Sequence, residues 1–319
     1  MKRRKFIKGS AIVGASIASG NLINKDSGIE SKKFDRKIYR VLDSQKTMVG
    51  TLPILRAFAG DQNDYVSPFV LLDEFGPVQV NAHADPLRVD AHPHAGVTPT
   101  TYFLEGSGHH KDSLNYDFQI EKGEFMMFAS GKGAIHMEET GQKLYEEGGK
   151  YHGFQIWLNM PAKYKFIDPT TAVYGQKDMP IVKGKDHEIK ILLGDLNGVK
   201  SNIELLSPAF YYHVKMKACS RVDIPVVDTH NSFVYNISGE AETTDQTMIK
   251  RNQIALYQRG ANNIPLYSEE GAELLVMGGE VLNERVYSYG PFVMNNQQQI
   301  YDCIKAYNSG QMGDPAKVN

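Results

Sequence analysis

The chain is expected to be all-β: two β-units of the sandwich or barrel type in series, closed by one C-terminal helix. Three observations carry this. Apolar residues recur with period two in short runs, so that Phe154, Ile156 and Leu158 share one face of a strand and Phe233, Tyr235 and Ile237 share one face of another. Glycine-rich turns punctuate the runs at Glu105-Gly-Ser-Gly108, Glu121-Lys-Gly123, Ser238-Gly239 and Gly278-Gly279. Helical spacing stands out once, at Ile300, Cys303, Ile304 and Tyr307, with Asn295-Asn296 ahead of it and Gly310 placed to cap its end.

The first 25 residues stand apart from the fold. Met1-Lys-Arg-Arg-Lys-Phe-Ile-Lys8 is basic, the stretch after it is apolar, and no acidic residue precedes Asp26. This is the pattern of a secretory signal, and Arg3-Arg4 followed by Phe6 and Ile7 resembles the bacterial twin-arginine signal. Export to the periplasm is therefore expected. The apolar stretch falls short of the roughly 20 residues a spanning helix needs, so no stable membrane anchor is expected. Residues 26–36 read as a linker.

From about Tyr39 the strands begin. Further candidates are Thr100–Leu104, Phe125–Phe128, Ile189–Leu193, Ala209–Met216 and Leu274–Met277. The segment holding Pro161, Pro169 and Pro180 marks a boundary. It divides the chain into a first unit at 37–165, a linker at 166–186 and a second unit with the helix at 187–313. A length of 319 residues agrees with about two domains of roughly 100–200 residues.

Composition narrows the function. Hydrophobic residues at 41% and charged residues at 23% are ordinary for a soluble globular chain. A net charge of −2 without a basic stripe excludes a nucleic-acid partner from the expectation. Cys219 and Cys303 form no CxxC pair and are expected to be buried free thiols.

Of the ten histidines, seven fall between positions 83 and 152. Two patterns there carry chemistry. In His92-Pro93-His94 the imidazoles are two residues apart, and on a strand such residues point the same way. His136-Met137-Glu138 presents an imidazole and a carboxylate by the same rule. Three neutral imidazoles and one carboxylate suit one borderline divalent ion: iron, manganese, cobalt, nickel, copper or zinc. Calcium would want more oxygen ligands. His109-His110 follows a glycine turn and is expected in a solvated loop. His152 reads equally as a cleft residue or a hydrogen-bonded barrel histidine, and His83 with Asp85 as surface loop. The second unit has only His187, His213 and His230, isolated from one another. No phosphate loop, nucleotide fingerprint or serine-nucleophile elbow is present.

These residues, taken in order, resemble the pirin family of bicupins. The resemblance rests on Phe69-Val-Leu-Leu-Asp-Glu-Phe75, His92-Pro-His-Ala-Gly96, Thr101-Tyr-Phe-Leu-Glu-Gly106 and Ala129-Ser-Gly-Lys-Gly-Ala-Ile-His-Met-Glu138. His152-Gly-Phe-Gln-Ile-Trp-Leu-Asn159 and Tyr289-Gly-Pro-Phe-Val-Met-Asn295 continue it, so that it covers about residues 37–313. It implies two stacked cupin (jelly-roll) barrels, the first holding one metal ion through His92, His94, His136 and Glu138, and the second metal-free. It also implies Fe(II) as the metal and a monomer.

The resemblance implies a quercetin 2,3-dioxygenase-like activity, with a small aromatic substrate and dioxygen as partners. Glu138 would be both ligand and catalytic base. Met126, Phe128, Phe154 and Trp157 are either pocket lining or plain barrel core, and the general burial of such residues favours core. The alternative is a non-enzymatic exported metal-binding or redox-responsive protein. One departure bears on activity: where the family follows HPH with a basic residue, glycine, an aromatic and glutamate, this chain has Ala95, Gly96, Val97 and Thr98.

Overall fold

A computed structural model describes residues 33–319 except 61 and 62, and these form one compact unit. The expected signal segment at 1–25 and most of the expected 26–36 linker lie outside the described residues. The end of that linker is ordered. Arg36 is buried, and its guanidinium donates to Ser232 Oγ, Ala261 O and Val227 O.

Each half of the chain builds a seven-stranded sheet facing a four-stranded one. In the first half the strands are β2 (Gln45–Val49), β3 (Leu52–Ala59), β4 (Phe69–Val80), β5 (Arg88–His94), β6 (Val97–Glu105), β7 (Gly108–Asp112), β8 (Asp117–Ile120), β9 (Phe125–Ala129), β10 (Ala134–Thr140), β11 (Gly149–Asn159) and β12 (Thr170–Tyr174); β1 (Ile38–Asp43) precedes them. The large sheet runs β12-β9-β6-β11-β4-β3-β2 and the small one β5-β10-β7-β8. The second half repeats the plan. Its large sheet orders β1 beside Gln253–Tyr257, Asn231–Gly239, Ala272–Gly279, Ala209–Met216, His187–Leu193 and Ile181–Lys183.

Period-two alternation divides the labour of each strand. On β11, Phe154, Ile156 and Leu158 face the partner barrel and join Phe233, Tyr235 and Met277 in a shared core between the two large sheets. Gln155 and Trp157 face the other way, into the first barrel. In the second barrel, Val222 and Ile224 lie opposite Leu266 and Ile264 on the strand pair of the small sheet that corresponds in strand order to β5 and β10. These aliphatic side chains fill that barrel with core.

The expected domain boundaries need three corrections. β1 pairs with Gln253–Tyr257 of the second sheet, although it precedes the first barrel. The 166–186 linker contains two strands: β12 pairs with β9, and Ile181–Lys183 pairs with His187–Leu193. The residues Thr170-Thr-Ala-Val-Tyr174 include β-branched side chains that suit an edge strand, and Pro169 stays just outside it. The C-terminal helix, Gln297–Asn308, is capped by Asn296, whose side chain accepts from the Gln299 N–H. It packs on the first barrel, with Ile300 and Cys303 against Ala95, Ile135 and Met137. Cys303 is thus buried as expected, but Cys219 is exposed, because it sits in a turn at φ +52°.

Candidate metal centre

The small sheet of the first barrel brings the predicted ligands together. β5 and β10 are antiparallel, with His92 directly opposite His136. A register shift between His136 and Glu138 turns the strand after the histidine. The Nε2 atoms of His92 and His136 lie 3.0 Å apart, and the rings of His92, His94 and His136 form a triangle with centroids 4.4–4.9 Å apart. One ligand nitrogen from each falls within 4.8 Å of the others. Glu138 groups by the same measure with His136 and with a further residue, His110.

The hydrogen bonds around the rings decide which nitrogens are bare. His92 Nδ1 lies 2.7 Å from the Asp90 carbonyl, which only accepts, so the proton sits on Nδ1 and Nε2 keeps its lone pair. For His136 the same result comes through two residues. The Asp112 carboxylate accepts from His110 Nε2 at 3.2 Å, leaving His110 Nδ1 to accept from His136 Nδ1 at 3.3 Å. His136 Nε2 is then bare as well. Two lone pairs facing each other at 3.0 Å are unfavourable unless a cation lies between them. Adjacent nitrogens about 2.1 Å from one ion, at right angles, would stand about 3.0 Å apart. His94 is buried, and neither ring nitrogen makes a well-formed hydrogen bond among the described residues; the Pro291 carbonyl acts on one of them, and a metal ion would satisfy the other. The residues therefore fit a divalent metal.

Electrostatics agree. Burial, reinforced by the neighbouring imidazoles, pushes His94 and His136 well below the ordinary histidine range. Burial also lowers His92, against the pull of the Asp90 carbonyl. Neutral imidazole is the form a metal takes. For Asp112 burial works to raise the carboxyl, but hydrogen bonds from His110, Thr171 and the Tyr116 backbone outweigh it and hold it below the usual carboxylate range.

The Glu138 carboxylate is held from the large sheet. Thr101 Oγ1 lies 3.0 Å from Oε1, and Gln155 Nε2 donates to Oε2 at 2.9 Å. His92, His94 and Glu138 help to line a mostly apolar cavity of about 480 Å³ inside the first barrel, with His136 buried beside them.

Of the aromatic candidates, Trp157 lines this cavity and packs edge-on against His94, with centroids 4.8 Å apart. Phe128 is buried core behind the ligands, 4.7 Å from the His136 ring. Met126 lies in the barrel core and Phe154 in the core between barrels. His152 Nε2 donates to the buried Glu74 carboxylate at 2.6 Å and does not line the cavity. His83 is exposed and packs on Tyr145.

His109-His110 needs correction. The pair lies on β7, not in a loop, because β7 pairs with β10 and places Glu138 opposite His110. Alternation then exposes His109 to the carboxylates of Asp117 and Glu139 and buries His110 behind the ligands. Thr98 lines a separate groove with Met127 and Leu158, away from the cavity. Ala95 packs against the C-terminal segment. Sequence reasoning missed Lys165, a buried lysine donating to Gly96 O, Asn159 Oδ1 and Val293 O.

The family model for pirin matches residues 51–158, and that for the pirin C-terminal cupin domain matches residues 211–313. The chain belongs to the pirin family. A pirin-like protein of Solanum lycopersicum is 28% identical over 82% of this chain and 87% of its own length. A pirin-like protein of Caulobacter vibrioides is 25% identical over 86% of this chain and 94% of its own. Among solved structures, quercetin 2,3-dioxygenase from Acinetobacter baumannii superposes with a TM-score of 0.85 at 26% identity, covering 88% of this pirin and all of that chain. Bacterial pirin YhhW from Escherichia coli, solved in complex with nickel(II), shares the fold at 16% identity and a TM-score of 0.58. Two cupin domains, as these relatives imply, are what the paired seven- and four-stranded sheets build.

Proposed function

We propose that this pirin is a metal-dependent dioxygenase that opens the ring of a quercetin-like flavonol or related polyphenol. The observation that carries the proposal is the meeting of bare His92 and His136 nitrogens with buried His94 beside an apolar cavity that Glu138 also lines. The likeness to the Acinetobacter baumannii dioxygenase supports it. His92, His94, His136 and Glu138 would hold one divalent ion, Fe(II) in the first instance. When bound, that ion supplies a route for electrons between substrate and dioxygen.

The chain's own residues do the rest. Thr101 and Gln155 aim the Glu138 carboxylate, which takes the proton of the flavonol hydroxyl as the substrate seats. The apolar barrel wall excludes water and accepts the flat rings. The Thr101 hydroxyl, with one proton, contacts both Glu138 and Gln155 Oε1, so it can follow a proton moving onto Glu138. The enzyme acts as a monomer, exported through its twin-arginine-like N-terminus; among the described residues no helix is long and apolar enough to cross a membrane.

The test is oxygen uptake by metal-loaded protein with quercetin. Uptake that requires metal and disappears in His136→Ala supports the proposal. One bound metal with no uptake across iron, manganese, cobalt, nickel and copper loadings would refute the dioxygenase reading.

A further inference from the structure

The inner face of the large sheet is not uniformly apolar. Three cross-strand rows lie side by side on it. In one, Ile54 on β3 pairs with Phe75 on β4, then Gly153 on β11 and Phe103 on β6. Gly153 has to lack a side chain, because a Cβ there would stand 2.4 Å from the Tyr102 carbonyl oxygen and 2.5 Å from the Phe75 ring. In another, Ala59, Leu71, Trp157 and Pro99 follow one another in the same way. Between these apolar rows runs a polar one: Arg56 on β3, Asp73 on β4, Gln155 on β11 and Thr101 on β6. All four line the cavity. The row begins at Glu138, which Thr101 and Gln155 hold, and ends at an ion pair.

That ion pair is built to leave donors over. Arg56 spends Nε and Nη2 on Asp73, at 2.8 and 2.6 Å, and Nη1 makes no hydrogen bond among the described residues. Asp73 is nearly buried, with a side chain 6% exposed, while Arg56 keeps 34%. A fork–fork pair fixes both groups in one plane. Because the pair is close to neutral, a second carboxylate on a ligand would be repelled by Asp73 as strongly as it is drawn by Arg56. A hydroxyl meets no such conflict: it carries no charge for Asp73 to repel, and it accepts from Arg56 Nη1. Three strand spacings, about 14 Å along the sheet, separate the Arg56 strand from the Thr101 strand. A three-ring aromatic molecule bridges that distance while its faces rest on the apolar rows.

We propose that Arg56 and Asp73 form the distal recognition point of the cavity, selecting planar polyphenols that carry a hydroxyl on an outer ring, remote from the oxygens presented to the metal centre. This rests on the flavonol reading of the same cavity and adds to it a substrate class. Molecules with the chelating oxygens alone occupy the site but gain nothing from the pair.

Anaerobic binding to the metal-loaded full chain tests it without turnover. The probes are 3-hydroxyflavone, which has only the chelating oxygens, and quercetin, which adds hydroxyls to both outer rings. Quercetin is expected to bind about tenfold more tightly, the worth of one good hydrogen-bonding point. In Arg56→Met/Asp73→Leu, where an apolar pair replaces the ion pair without orphaning a charge, that preference disappears and 3-hydroxyflavone affinity stays the same. Arg56→Lys, which keeps a cation beside Asp73 but loses the fork, also loses most of the preference. Equal binding of both probes by the wild type overturns the proposal, as does a preference that survives both variants. If neither probe binds the metal-loaded wild type, the flavonol reading itself fails, and this proposal with it.

Discussion

The Nδ1 atom of His110 lies 3.3 Å from Nδ1 of His136, and this contact connects the ligand set to a carboxylate that never reaches the metal position. Asp112 fixes the proton of His110, and His110 fixes the proton of His136. Asp112→Asn removes the charge that sets this order. Metal affinity is expected to fall about 10–100-fold with the fold intact. Competition with a chromophoric chelator, alongside circular dichroism, measures both. Unchanged affinity would mean that the His136 tautomer is set elsewhere.

Glu138→Gln keeps the size of the side chain but removes both the anionic ligand and the proton acceptor. Oxygen uptake with quercetin should fall about 10²–10⁴-fold, the usual contribution of a positioned base. Three histidines remain to hold the ion, so the metal should survive with weakened affinity. Steady-state kinetics on variant protein with measured metal content separates the two effects.

Tyr102 of the first barrel and His213 of the second meet at 3.0 Å, and His213 Nε2 donates to Glu273 at 2.8 Å. The hydrogen bond from His213, more than the nearby Lys215, depresses Glu273 to about 2. A depressed carboxylate stabilises fully above its unfolded value of about 4.3 and loses that contribution as pH falls toward 2. Burial depresses His213. Its unfolded form takes up protons that the folded form refuses, so stability also drops as pH falls below about 6.5. Thermal melting of metal-loaded protein should therefore show Tm falling from pH 7 downward, with a shallower fall in His213→Gln. An unchanged slope would contradict this assignment.

Lys165→Met leaves the carbonyls of Gly96 and Val293 and the Asn159 amide oxygen without their donor. Each orphaned buried acceptor costs about 1–3 kcal/mol, so a loss of at least about 3 kcal/mol is expected in denaturant melts. Burial already holds the Lys165 ammonium near a pKa of about 7.

What was legible in the sequence follows from the range of the physics involved. HxH and HxE place their side chains through period-two alternation within one strand, so His92, His94, His136 and Glu138 could be grouped before any pairing was known. The helix at Ile300–Tyr307 and the face shared by Phe154, Ile156 and Leu158 were legible for the same reason. His110 was not. Its role comes from the pairing of β7 with β10, a contact between strands that no local pattern encodes. The crossing of β1 into the second sheet and the docking of the C-terminal helix on the first barrel are likewise non-local. Alternation told which residues of β11 share a face, but not that Gln155 and Trp157 would see the cavity. Lys165 looked like any charged residue near a boundary; only its three converging acceptors single it out.

The most direct test of the account is the metal content of the purified full chain beside that of His94→Ala, measured by mass spectrometry after loading with each first-row divalent ion and removal of excess. The account predicts one ion per wild-type chain and its loss in the variant, because His94 supplies one of the three converging imidazole nitrogens. A wild-type chain that holds no ion, or a variant that holds it as tightly as the wild type, would contradict the assignment of the site.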